Sequence, residues 1–387
     1  MDEKTTNNSS EDNPYTSFEE LERKILYPKS INQKFDLWID PVRPISDEEK
    51  IFFIQNLSIM LKSGLSASRS FRALTLQAAN PKFKRVLAKV TRSVEKGLPI
   101  AQSMSEHPKV FSHIFISMIQ AGEQSGKLEK VLTELSTQMK RSHDLKSKVK
   151  GALMYPMAIL ISMVAIGSGM IIFVIPKLTA VFSEMNAELP VPTKILIAVS
   201  NGANKYALII VPIIIISIGL LVYVTRKGKG QKIWHKIILL MPVVGSIAIK
   251  INLAKIARTL SSLLATDMPI VISLKLTANT IKNALYRESL MIMSINVEQG
   301  KTMASQMPQF KKLYPPVAHQ MVQVGEETGE ISNILAQLAE FYEEDVSNTM
   351  NSLPSLIEPI LIVTLGAAVG AMAIAVIMPM FSLANAV

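Results

Sequence analysis

The chain of 387 residues is 49% hydrophobic with a positive mean hydropathy of +0.29, more apolar than an ordinary soluble protein of this size and in the range expected when membrane segments are present. It contains no cysteine, which excludes disulfides, thiolate metal sites and cysteine nucleophiles. The formal net charge is +10, aromatics make up only 6%, and the basic residues crowd beside apolar runs. That pattern fits lysine and arginine flanking membrane spans and argues against a nucleic-acid surface, where aromatics interleave with basic stripes.

Residues 1–50 form a separate polar and acidic segment. Residues 1–14 read as disordered, and residues 1–20 carry no apolar run of the kind a secretory signal needs. Residues 16–38 look amphipathic, with Phe18, Leu21, Ile25 and Leu26 set against Glu19, Glu20, Glu22 and Arg23. Docking on a partner and packing on the chain's own domain are both open for this segment.

Residues 51–150 have helical periodicity, with Ile54, Leu57 and Leu61 at three- and four-residue spacing. Breakers at Ser63-Gly64, Asn80-Pro81, Lys96-Gly97, His107-Pro108 and Gly122 to Gly126 divide them into short helices. The uncharged run 151–175, with Pro156 inside it, is long enough to span a membrane, since a span needs about 20 apolar residues. Residues 176–205 then form a loop, 206–224 a second span, 225–355 a second helical domain, 356–378 a third span and 379–387 a tail. Within 225–355 the apolar run Ile237–Ile249 is too short to cross and reads as a buried or interfacial helix.

Lys140, Arg141, Lys146, Lys148 and Lys150 precede the first span, and Arg226, Lys227, Lys229, Lys232 and Lys236 follow the second. The positive-inside rule therefore places the N-terminus and both helical domains in the cytoplasm, and loop 176–205 and the C-terminal tail outside.

The most informative pattern is a gapless self-match at an offset of 203 residues. Leu57-Ser58 meets Leu260-Ser261, Glu95-x-Gly97 meets Glu298-x-Gly300, and Gly122-Glu123-x-x-Gly126 meets Gly325-Glu326-x-x-Gly329. Pro156 meets Pro359, and Pro176 meets Pro379. Each repeat is a helical domain followed by one span. The unpaired middle span is required physically, because the chain must return across the bilayer before a second domain can lie on the same side. The expected fold is thus an all-α integral membrane protein with two tandem cytoplasmic bundles, about six helices each, and three transmembrane helices.

Gly122-Glu-Gln-Ser-Gly126-Lys127-Leu128 is one residue short of a phosphate-binding G-x4-G-K-[ST] loop and lacks its hydroxyl, and the copy at Gly325 to Ile331 lacks the lysine. A helix–turn–helix corner is the preferred reading, with Gly64, Gly97, Gly122, Gly126, Gly300, Gly325 and Gly329 as turn residues. The five histidines form no H-E-x-x-H or H-x-x-x-H pair. The acidic runs Asp47-Glu48-Glu49 and Glu343-Glu344-Asp345 read as solvated helix faces, leaving open a cation held between subunits. Glu358, next to Pro359, is the one carboxylate at a span and has no ionisable partner there. Gly366-x-x-x-Gly370 can pack against another membrane helix. No residue set calls for a cofactor or pairs groups for catalysis.

Together these residues resemble the inner-membrane platform proteins of type II secretion and type IV pilus systems, the GspF/PilC family. Ser63-Gly64-Leu65, Lys96-Gly97-Leu98-Pro99 with Ala101, and Gly122-Glu123-x-x-Gly126 carry the resemblance, with Tyr155-Pro156 followed by Pro176, Met241-Pro242-Val243-Val244-Gly245 and Ile357-Glu358-Pro359-Ile360-Leu361. The second repeat departs at Asp267, where the first has Gly64, so the turn there is left open. The resemblance implies a bacterial inner-membrane protein that forms homo-oligomers, has no catalysis of its own, and contacts a hexameric assembly ATPase, pilin or pseudopilin subunits and other inner-membrane assembly proteins. A small oligomeric transporter or channel is the alternative, which liposome flux would distinguish.

Overall fold

The computed structural model describes residues 44–176 and 228–384, with isolated positions elsewhere. The amphipathic segment 16–38, nearly all of loop 176–205 and much of the second span 206–224 lie outside the described residues. Every regular element among the described residues is helical.

The first repeat contributes six helices: α1 (Asp47–Lys62), α2 (Ala67–Gln77), α3 (Pro81–Glu95), α4 (Ile100–Ser105), α5 (His113–Ser125) and α6 (Leu128–Gly169). Local chemistry sets their ends. The Ser46 hydroxyl accepts from the Glu49 amide at 3.1 Å, and Asp47, Glu48 and Glu49 fill the first turn of α1, where the helix dipole favours negative charge. Asn80 caps α3 by accepting from the amides of Lys82 and Phe83, with Pro81 at the first helical position.

After α6, a π turn at Met170–Val174 continues the helical path, and Leu128–Val174 is a 47-residue stretch apolar enough to cross a membrane. Pro156 lies within α6, where it removes one backbone hydrogen bond, a loss that membrane helices tolerate when neighbours re-satisfy the carbonyl.

Two helices meet at a corner ahead of the second repeat. α7 (Gly228–Leu240) and α8 (Val244–Ala265) are bent by 111° across Met241-Pro242-Val243. The run Ile237–Ile249 is therefore folded at a corner and makes no straight crossing. The corner is tight: Val243 has φ +66°, and a Cβ on Gly245 would lie 2.4 Å from the Leu239 carbonyl oxygen. A side chain at 245 would force the helices apart, which accounts for the glycine that ends Met-Pro-Val-Val-Gly.

The second repeat then supplies α9 (Ile270–Thr280), α10 (Ala284–Glu298), α11 (Met303–Gln306) with a 3-10 turn at Met307–Phe310, α12 (Pro316–Thr328) and α13 (Ile331–Ala384). With α8 this again makes six helices. Ile331–Gly370 within α13 is the other stretch long and apolar enough to cross a membrane.

The described chain forms two compact units. The first takes the residues up to Asp144 with Leu253–Lys282 and Tyr286–Glu340, so both repeats' bundles belong to it. Its core brings Phe53, Phe71, Phe83, Phe111 and Phe115 of the first repeat together with Leu57, Leu87, Met104 and Leu132. The second unit takes Leu145–Asn252, Asn283–Leu285 and the residues from Phe341. There Val346, Met350 and Leu353 of α13 pack with Leu145, Val149 and Ala152 of α6 and Ile247 and Ile251 of α8. Lys250 pairs with Asp345 at 2.8 Å on the same helices.

Candidate functional site

The motif with the strongest repetition is also the one with the most specific geometry. In the first repeat, Glu123 near the end of α5 reaches back to the start of α4. Its Oε1 accepts from the Ile100 amide at 2.6 Å and its Oε2 from the Ala101 amide at 2.9 Å. Pro99, the residue preceding α4, supplies no side-chain cap. The carboxylate of a neighbouring helix therefore satisfies amides that have no intrahelical partner and meets the positive end of the α4 dipole. In the second repeat Glu326 does the same to Met303 at 2.6 Å and Ala304 at 2.8 Å.

The glycines around each glutamate have different reasons. A Cβ on Gly122 would sit 2.9 Å from Val131 Cγ2 and 3.2 Å from Leu128 Cα, and one on Gly325 would be 3.1 Å from Ile331 Cα. The first glycine thus lets α5 approach α6 closely, and its copy lets α12 approach α13. The second glycine ends the helix in the left-handed region, with φ +68° at Gly126 and +75° at Gly329. The Lys127 amide donates to the Gly122 carbonyl at 2.9 Å and the Gly126 amide to Glu123. Amides spent on helix carbonyls do not cradle a phosphate, so the corner is a structural joint.

Gly97 and Gly300 occupy the left-handed region with φ +84° and +86°. Beside them the Glu95 and Glu298 carboxylates pair with Arg72 at 2.6 Å and Lys275 at 3.0 Å, so the Glu-x-Gly element also recurs as one device. Gly64 has φ +82°, and Asp267 holds the same turn with φ +61°. The Leu65 amide reaches the Met60 carbonyl at 3.1 Å, and the Met268 amide reaches the Leu263 carbonyl at 3.3 Å. The turn left open at Asp267 is therefore retained; aspartate tolerates left-handed backbone better than most residues.

Asp267 also does what glycine cannot. Its carboxylate bonds Lys127 Nζ at 2.6 Å, linking the second repeat's turn to the first repeat's corner. That hydrogen bond, with the nearby charges of Lys127 and Lys130, holds the Asp267 carboxyl below its ordinary range. Gln138 Nε2 donates to Thr259 Oγ1 at 3.2 Å across the same boundary, and α5 packs on α9. Sequence reading had singled out the glycines and the departure at Asp267. It missed the capping role of Glu123 and Glu326, although the repeated spacing between each glutamate and its capped helix was there to be found.

Other expected elements are dispersed. Pro359, Gly366 and Gly370 lie on α13, and a Cβ on either glycine would meet open space. Glu358 is exposed on that helix. Among the described residues no group of three or more His, Asp or Glu side chains is placed to hold a metal ion. The acidic runs are used locally: Glu49 accepts from the Asn80 amide at 2.8 Å, and Asp345 pairs with Lys250.

The sequence matches the family described as type II secretion system (T2SS), protein F, twice, over residues 53–176 and 256–379. These segments are offset by the same 203 residues that relate the two Gly-Glu corners. The chain belongs to the protein F family. It is similar to the type IV pilus assembly protein PilC of Myxococcus xanthus, with 31% identity over 91% of this chain and 84% of that protein. A PilC of Thermus thermophilus is 30% identical over 86% of this chain and 81% of its own length. The type II secretion system protein F of Aeromonas hydrophila is 28% identical over 89% of each. Two helices among the described residues are long and apolar enough to cross a membrane, and this protein F family member is an inner-membrane protein.

Proposed function

We propose that this protein is the inner-membrane platform of a type IV pilus or type II secretion machine. In this reading it couples a cytoplasmic hexameric assembly ATPase to the insertion of pilin or pseudopilin subunits into a filament. The observation that carries the reading is the family match over both repeats, each built on the same Gly-Glu corner. Relatives named for pilus assembly and for type II secretion both align with most of the chain, which supports a role common to the two machines.

The physics agrees with a platform that transmits contacts and carries out no chemistry. The capped corners hold helix ends through backbone amides, so they serve to position surfaces. The basic flanks Lys140 to Lys150 and Arg226 to Lys236 support placing both bundles in the cytoplasm, where an ATPase can reach them. The third span would end outside, and its Gly366 and Gly370 offer a close-packing face to a filament subunit's membrane helix.

The test is crosslinking in cells, from photoreactive residues on exposed bundle positions to the assembly ATPase and from position 366 or 370 to the filament subunit. Loss of filaments or secretion on deletion, together with both crosslinks, is the expected result. Normal assembly in the deletion strain, or crosslinks to neither partner, would end the proposal.

A further inference from the structure

The two bundles of the first unit meet through different faces, and that leaves one half of the contact unused on each. On the first repeat, the covered face lies on α5: Ile114 is 8% exposed and Met118 fully buried. On the second repeat, the covered face lies at the α8–α9 turn: Ser262 is 3% and Met268 8% exposed, and Leu263 and Leu276 join the first repeat's core. At the 203-residue offset Ile114 corresponds to Val317, Ser262 to Ile59 and Met268 to Leu65, and these three are open, while Met321, the counterpart of Met118, is half-buried. On α12, Val317 is 45% and Val324 48% exposed; around the α1–α2 turn, Ile59 is 61% and Leu65 42% exposed. A contact that joins unlike faces leaves the other half of each pair free, and it can be repeated by another copy.

We infer that the α12 face around Val317 and Val324 receives the α1–α2 turn around Ile59 and Leu65 of a second copy of this chain, repeating between chains the contact already made within one. Charge supports this occupant. Inside the chain the corner cation Lys127 meets the turn anion Asp267. On the open faces the signs are exchanged: Glu330 stands where Lys127 does, with Glu327 nearby, while Lys62 and Arg69 flank Gly64 where Asp267 would be. A second repeat meeting the next copy's first repeat thus brings acid to base. An open α12 face meeting its own copy would set Glu327 and Glu330 against the same acids, and two open α1–α2 turns would set Lys62 and Arg69 against the same bases. Like charges across an interface disfavour both wrong pairings.

The absence of cysteine makes the test direct. Two differently tagged full-length copies, one Ile59→Cys or Leu65→Cys and the other Val324→Cys, are co-expressed in membranes and treated with a short bismaleimide. The expected result is a crosslink between unlike copies, with little between like ones. Glu330→Lys in the Val324→Cys copy should reduce it several-fold, and Lys62→Glu with Arg69→Glu in the other copy should restore it. All these positions are exposed, and an unchanged melting curve for each variant confirms folding. The inference is overturned if like copies crosslink best or if the exchanged charges fail to restore the product. It is equally overturned if cysteines that react with a monofunctional maleimide give no inter-chain product, or if they crosslink solely to another polypeptide. None of these outcomes requires the platform role to be correct.

Discussion

The two bundles share a backbone plan but not a core. The first repeat packs five phenylalanines, with Phe53 edge-on to Phe83 at 5.6 Å and Phe111 at 5.1 Å from Phe115. At the same positions the second repeat has Ile256, Leu274, Tyr286, Tyr314 and Ala318. Tyr286 and Tyr314 keep a T-shaped contact at 5.6 Å, but each must place a hydroxyl. Tyr286 donates to the Leu313 carbonyl at 2.6 Å, and Tyr314 shares a 2.8 Å hydrogen bond with Ser289. A small apolar cavity of about 20 Å³ remains, lined by Leu260, Met293, Tyr314 and Ala318 among others. One fold therefore tolerates two side-chain solutions, one filled by aromatic bulk and the other held partly by buried hydrogen bonds. What stays constant is the set of joints: the capping glutamates, the left-handed turns and the Arg72–Glu95 and Lys275–Glu298 pairs.

The largest effect should come from core truncation. Leu57→Ala and Leu260→Ala remove equivalent, fully buried side chains. Unfolding followed in detergent should show about 5 kcal/mol lost for the first and about 3 for the second, because Leu260 already borders a void and gives up fewer contacts. Equal losses would mean that the two cores are packed alike.

Next come the capping glutamates. Glu123→Gln and Glu326→Gln keep the shape but remove the charge and turn one of the two accepting oxygens into a donor, so that one amide loses its acceptor, and each should cost about 1–3 kcal/mol. The matched geometry requires matched losses, so a large difference between the two would break the equivalence of the corners.

Filling the cavity tests the comparison from the other side. Ala318→Val should stabilise the second bundle by about 0.5–1 kcal/mol. Its counterpart in the first repeat is Phe115, whose larger ring already packs against Phe111.

The smallest effect is confined to alkaline pH. Burial raises the Tyr314 hydroxyl pKa above its ordinary value. Below about pH 10 folded and unfolded chains both keep that proton, and the stability is intact. As pH rises further the unfolded chain releases the proton first, so stability falls. Relative to wild type, Tyr314→Phe should soften this decline in melts taken across that range, while leaving neutral-pH stability within about 1 kcal/mol. The first repeat has Phe111 in the same slot and contributes no such decline.

Much of this architecture was legible from residue order. The 203-residue duplication, the helical periodicity, the breakers and the apolar runs are properties of neighbours along the chain, and local steric and solvation rules read them directly. The tertiary structure decided what joins elements distant in sequence. Glu123 caps a helix 22 and 23 residues away, and Asp267 takes the turn of Gly64 while binding Lys127. Nor does a repeat reveal from its own sequence which of its faces will be covered. Both repeats carry the same apolar periodicity, and only packing within one chain buries the α5 face of the first against the α8–α9 face of the second, leaving counterparts such as Val317, Ile59 and Leu65 exposed.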